Sequence, residues 1–103
     1  VPSLSTHVLD AAAGGPRAGV AVTVHAVTGP PPDGPPVASA VTDADGRIPS
    51  LATDLVPGSY RIEWSTAGAF VSAVAVTVEL SEDRHYHVPL LVSPASAVTY
   101  LGV

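Results

Sequence analysis

Apolar and polar residues alternate with a period of two in short runs along this chain, and clusters of glycine, proline, aspartate and serine separate the runs. Such alternation predicts β-strands, because successive side chains of a strand point to opposite faces. Leu4 to Asp10 is the first predicted strand. Ala11 to Gly19, with Gly14, Gly15 and Pro16, reads as turn and loop. Val20 to Val27 follows, with Val20, Val22, Val24 and Ala26 on one face and Thr23 and His25 on the other. Thr28 to Pro36 holds five prolines and two glycines, which predicts an exposed connection, since proline cannot donate to a ladder.

Val37 to Thr42 is a third predicted strand, closed by Asp43-Ala44-Asp45-Gly46, a turn in which aspartate side chains cap the backbone and glycine accepts positive φ. Arg47 leaves that turn directly. A short strand is expected over Leu51 to Leu55, then one over Tyr60 to Thr66 with Tyr60, Ile62 and Trp64 sharing a face. Ala67 to Ala73 has room for a single helical turn. Val74 to Leu80 alternates cleanly. His85 to Val92 splits into His85, His87, Pro89 and Leu91 against Tyr86, Val88, Leu90 and Val92, and Ala97 to Val103 closes the chain. About eight strands with at most one short helix predict a single all-β domain over residues 1–103, a two-sheet antiparallel sandwich.

Strand parity has a second consequence. If Tyr86, Val88 and Leu90 fill the core, His87 points away from it, as does His7 on the first strand. The outward face would then carry Leu9, Pro89 and Leu91, which is too apolar for open water and suggests cover by a partner subunit. The residue content fits a sandwich core: 47% of residues are hydrophobic but only 5% are aromatic, so the interior must be built from Val, Ala, Leu and Ile. No cysteine is present, which removes disulfides and thiolate metal sites.

A formal charge of −5, with the four basic residues scattered at Arg17, Arg47, Arg61 and Arg84, argues against a nucleic-acid or anionic-membrane surface. The apolar runs fall well short of the roughly 20 residues of a membrane helix. No charged-then-apolar leader is evident at the amino end, and the expected location is cytoplasmic.

Hydrolysis near neutral pH needs a group that titrates near 7 and a cation to hold developing negative charge. His7, Arg47 and His87 are the candidates. His87 has the strongest local case, because an imidazole on an apolar face loses water and is held neutral, the form that acts as a general base. Taken alone, His7 has polar neighbours and reads as an edge-strand histidine, and Arg47 could simply pair with Asp43 or Asp45. His25 and His85 read as solvated. His85 and His87 could share one strand face as metal ligands do, but a third ligand at suitable spacing is not evident and the signal is weak. No phosphate loop or nucleophile-elbow serine occurs.

Leu-Ser-Thr-His-Val-Leu-Asp at the start, Gly14 to Pro16 after it, Thr-Asp-Ala-Asp-Gly-Arg in the middle and His-Tyr-His-Val-Pro-Leu-Leu-Val-Ser-Pro near the end resemble the 5-hydroxyisourate hydrolases of the transthyretin-like family. The resemblance covers nearly the whole chain. It implies hydrolysis of a cyclic amide, 5-hydroxyisourate, in purine (urate) catabolism, with His7, Arg47 and His87 as catalytic residues and Tyr100 and Leu101 as substrate-binding positions. It also implies a homotetramer, a dimer of dimers, with sites at the subunit interface, and no metal or organic cofactor. Hormone-carrying transthyretins resemble the family but lack the His and Arg set, so its retention favours an enzyme. The family pattern ends in Tyr-Arg-Gly-Ser, whereas this chain ends Tyr100-Leu101-Gly102-Val103. That departure motivates an alternative: a diverged enzyme that uses the same His and Arg groups on a more apolar substrate, possibly in a biosynthetic pathway. A non-catalytic binding or assembly module on the same sandwich is the reading from another class, and it expects His7 and His87 to lie apart.

Overall fold

A computed structural model describes residues 1–27, 35–68 and 70–102. Ten strands occur among them: β1 (Ser3–Asp10), β2 (Gly15–Pro16), β3 (Ala21–Ala26), β4 (Ala38–Val41), β5 (Arg47–Ala52), β6 (Gly58–Ser65), β7 (Ala73–Leu80), β8 (His85–His87), β9 (Leu90–Ser93) and β10 (Ser96–Thr99). Helix is absent from the described residues, including those between β6 and β7. The proline-rich connection predicted over Thr28 to Pro36 lies outside the described residues except at Pro35 and Pro36.

Two sheets form the sandwich. One has the order β4-β3-β6-β7 and is antiparallel throughout; the other is built around β1. The first half of β1 pairs with β5 and β8, its second half with β2 and β9, and β10 closes the edge beside β9. The β1·β8 and β1·β9 pairings are parallel, so this sheet is mixed rather than purely antiparallel.

Alternation sorts the faces as expected. Leu4, Val8, Ile48, Tyr86, Leu90 and Val92 of one sheet meet Val22, Val24, Tyr60, Ile62, Trp64 and Leu80 of the other in a single core. Trp64 is completely buried, and its indole N–H donates to Thr6 Oγ1 at 3.1 Å while the Thr6 hydroxyl donates to the Val88 carbonyl at 2.7 Å. This small polar chain ties the two sheets together without leaving a buried donor orphaned.

Three boundaries differ from the pattern-based reading. Gly15–Pro16 pairs with Leu9 and Asp10, so part of the expected loop is a short strand whose two residues are too few to show alternation. The strand expected over Leu51 to Leu55 runs from Arg47 to Ala52, and its register against β1 shifts between Leu4 and Thr6. That irregularity interrupts the period of two and hid the strand's start. The strand expected over His85 to Val92 breaks at Val88 and Pro89: proline has no N–H for the ladder, and the chain changes from pairing beside Ser3–Ser5 to pairing beside Val8–Asp10. Pro89 is itself buried, so the outward face expected to include it carries Leu9 and Leu91 without it.

The Asp43 to Gly46 turn forms as predicted. One Asp43 carboxylate oxygen accepts from the N–H groups of Asp45 at 2.9 Å and Arg47 at 3.0 Å. Gly46 has φ of 72°, and a Cβ there would sit 2.5 Å from the Val8 carbonyl oxygen. Gly46→Ala should therefore cost about 2 to 4 kcal/mol through left-handed strain and a backbone collision. Urea unfolding checks this, and a variant as stable as the parent would contradict the packing described.

Candidate active site

The site is built on the outer face of β5, β1 and β8. Parity puts Ser3, Ser5 and His7 on the outside of β1 while Leu4, Thr6 and Val8 turn inward. Antiparallel register sets His7 directly opposite Arg47 on β5. Parallel register sets Ser3 beside His85 and Ser5 beside His87 on β8, so side chains from both neighbours project to the same side. Three remote stretches of sequence are thereby brought to one patch. A cleft of about 230 Å³ opens there, lined by Ser5, Thr6, Arg47, Pro49, His85 and His87.

Each group is held locally. Arg47 follows the aspartate-capped turn, its backbone fixed by Asp43, and its guanidinium makes no ion pair with Asp43 or Asp45 among the described residues. The cation is therefore available to a ligand. His7 Nε2 is 3.1 Å from the Asp45 carbonyl oxygen; a carbonyl only accepts, so this nitrogen carries the proton and Nδ1 is left as an acceptor. His87 Nδ1 lies 2.7 Å from Ser5 Oγ, and its Nε2 has no protein hydrogen-bond partner among the described residues.

Burial holds the His87 imidazole below its ordinary pKa of 6.5, and repulsion between a protonated His87 and the neighbouring His7, His85 and Arg47 acts in the same direction. A histidine so placed is neutral at pH 7 and ready to accept a proton. With Nε2 unoccupied and Arg47 on the same face, the arrangement offers a base and an oxyanion-holding cation, the two requirements of hydrolysis. No group of three His, Asp or Glu side chains suited to a metal occurs among the described residues.

The structure brings His7, Arg47 and His87 together. Tyr100 and Leu101 do not join them within one chain. They line a separate, mostly apolar groove of about 240 Å³ with Val76, Val78, Leu80, Tyr86 and Val88. Gly102 reaches the site instead: its N–H donates to the His87 carbonyl at 2.7 Å, and a Cβ on it would lie 2.9 Å from His87 Cδ2. The tail backbone thus packs against the His87 ring.

Sequence reading gave Ser5 and Gly102 no part and took His85 as solvated. Ser5 shares β1's outer face with His7, a signal available from parity, but its contact with His87 depends on the β1·β8 register. His85 is exposed, as expected of a solvated residue, yet both its ring nitrogens are hydrogen-bonded, to Ser3 Oγ at 2.6 Å and Ser5 Oγ at 2.8 Å.

The model of the HIUase/Transthyretin family matches residues 4–102. The chain belongs to the HIUase/Transthyretin family. Among curated HIUase/Transthyretin relatives, 5-hydroxyisourate hydrolase of Caulobacter vibrioides is 39% identical, with 96% of each chain covered. The uric acid degradation bifunctional protein TTL of Arabidopsis thaliana is 37% identical over 98% of this chain, which spans only 37% of that longer protein. Klebsiella pneumoniae 5-hydroxyisourate hydrolase superposes with a TM-score of 0.85 at 30% identity, covering 100% of both chains. Sea bream transthyretin in complex with thyroxine superposes with a TM-score of 0.86 at 31% identity, covering 98% of this chain and 95% of the other. The HIUase/Transthyretin fold alone therefore does not separate hydrolase from carrier; side chains must.

Proposed function

We propose that the protein hydrolyses 5-hydroxyisourate, opening a ring amide in the course of purine catabolism. The observation that carries this reading is the convergence of His7, Arg47 and His87 on the outer face of three adjacent strands, with the His87 pKa lowered and its Nε2 unpartnered among the described residues. His87 takes a proton from water as the water oxygen bonds to the ring carbonyl carbon. Arg47 holds the oxyanion that forms, and His7 orients the water or the ring through its free Nδ1. Collapse of the intermediate breaks the C–N bond as the leaving nitrogen is protonated. The reaction needs no metal or organic cofactor and is assigned to the cytoplasm. Residues 1–103 act as one domain.

The functional unit is a homotetramer, a dimer of dimers. Leu91, Val98, Tyr100 and Leu101 are exposed apolar side chains on β9, β10 and the tail that follows, and together they make a surface suited to burial against another copy. In such an assembly Tyr100 and Leu101 approach the site of a neighbouring copy rather than their own.

Purified protein should speed the loss of isourate absorbance well beyond the buffer rate; equality with buffer rejects the reading. The alternative, a more apolar substrate for the same groups, is favoured by one observation, the exposed Leu101 at the position where the family pattern has arginine. Leu101→Arg discriminates. Regaining a charged hydrogen bond to an acidic purine-like ring is worth about 1.5 to 3 kcal/mol, or roughly tenfold to a hundredfold in kcat/KM. Such a gain in isourate hydrolysis would show that this tail has moved away from purines, and no gain would leave isourate as the fitted substrate.

A further inference from the structure

Ser3, His85, Ser5 and His87 form one continuous hydrogen-bonded row across β1 and β8, with successive contacts of 2.6, 2.8 and 2.7 Å. The row runs outward. Ser5 is buried, with 6% of its surface exposed, whereas His85 is exposed and its contact with Ser3 lies at the surface. We propose that this row is a proton relay connecting Nδ1 of His87 to solvent during catalysis. The proposal rests on the hydrolase reading given above.

The logic follows from counting protons. Ser5 has one hydroxyl proton but touches two ring nitrogens, so it donates to one ring and accepts an N–H from the other. In one arrangement His87 Nδ1–H donates to Ser5, Ser5 donates to His85 Nε2, and His85 Nδ1–H donates to Ser3. His87 Nε2 is then bare and can act as a base. In the other arrangement every bond is reversed: Ser3 donates to His85 Nδ1, His85 Nε2–H donates to Ser5, and Ser5 donates to His87 Nδ1. His87 Nε2 then carries the proton and can act as an acid.

Catalysis would alternate the two. As water attacks, its proton goes to His87 Nε2. The Nδ1 proton passes to Ser5, the Ser5 proton to His85 Nε2, and the His85 Nδ1 proton leaves through Ser3 to bulk water. When the C–N bond breaks, Nε2–H protonates the leaving nitrogen. In the same step one proton from solvent returns along the row to His87 Nδ1, so that no imidazolate forms and the first arrangement is restored. The relay thus moves one proton out and one in per turnover, and the carboxyl proton of the product is released separately. Nothing is oxidised or reduced.

The physical gain is that positive charge does not rest on His87, which is half-buried beside His7 and Arg47. It passes through His85 and Ser3 to bulk water. Contacts flanking the row hold β1 and the start of β8 together: the Ser3 N–H donates to the Arg84 carbonyl at 3.2 Å, and the Arg84 guanidinium stacks on Tyr86 at 4.6 Å from the ring centroid. Ser3, Ser5 and His85 are on this account positioning and proton-carrying residues.

Buffer rescue tests the relay. In weakly buffered solution His85→Ala should lose about tenfold in kcat at unchanged KM. Added imidazole should restore the rate and then saturate, after subtraction of the rate with imidazole and no protein. Full activity of His85→Ala in weak buffer overturns the proposal, as does a loss that imidazole leaves unrepaired. Failure of the hydrolase reading would appear separately, as an inactive parent protein. Independently of any substrate, ¹⁵N NMR of the imidazoles should show the His87 tautomer ratio changing in His85→Ala and in Ser5→Ala. Unaltered His87 ring shifts in both variants, with the fold intact by circular dichroism, would sink the relay by themselves.

Discussion

His87→Ala is expected to lower isourate hydrolysis by about 10²- to 10⁴-fold, the range typical of a lost general base. The loss should fall on kcat, because Arg47 and His7 remain to bind the ring. Thermal stability should hardly change. His87 sits on the outer face of β8, the core beneath it is made by Tyr86 and Val88, and the Ser5 hydroxyl keeps His85 as a partner. Steady-state kinetics with a melting curve on the same sample separates the two effects. A variant that melts normally and still turns over at the parent rate would remove His87 from the mechanism, and with it the role proposed for the cleft.

The second large effect is expected at Arg47. Arg47→Gln removes the cation opposed to the developing oxyanion and should cost about 10²- to 10³-fold in kcat/KM. It should also move the pH profile, and the direction is determined. The His87 pKa is lowered by burial first and then by His7, His85 and Arg47. In the parent, the base is therefore free at pH values below its ordinary 6.5, and activity should fall only as pH drops through that lowered value. Taking the Arg47 charge away eases protonation of His87, so the acid limb of the profile should shift to higher pH. His7 and His85, the other groups facing His87, stay in place and keep part of the depression. A residual rate with an acid limb displaced to lower pH would contradict this electrostatic account.

Much of the fold was legible in the alternation of residues. Val22, Val24, Ile62 and Trp64 obey the period of two and are buried as the pattern requires. The Asp43 to Gly46 turn also declared itself, because aspartate caps and a glycine at positive φ leave a local chemical mark. Where reading failed, the cause was non-local. Gly15–Pro16 pairs with β1 across a gap in sequence. Arg47–Ala52 contains a register irregularity, and the break at Val88–Pro89 reflects β1 handing one neighbour over to another. Each is an event between strands, and alternation within one strand says nothing about it.

The site divides along the same line. His7, Arg47 and His87 were recognisable by residue type and by resemblance, and parity alone turned His87 outward. The contact between Ser5 and His85 was not recognisable. A serine and a histidine separated by about eighty positions become hydrogen-bonded neighbours only because β8 lies parallel to β1 in one register, and a slip of one residue would send each to the opposite face. Residue order by itself determined the strands, their buried sides and the kinds of reactive groups available, since these follow from local stereochemistry and hydrophobicity. Tertiary structure alone decided which groups meet, which nitrogen of each imidazole is engaged, and that Tyr100 and Leu101 lie away from their own chain's cleft, because those outcomes depend on pairing between segments that only folding brings together.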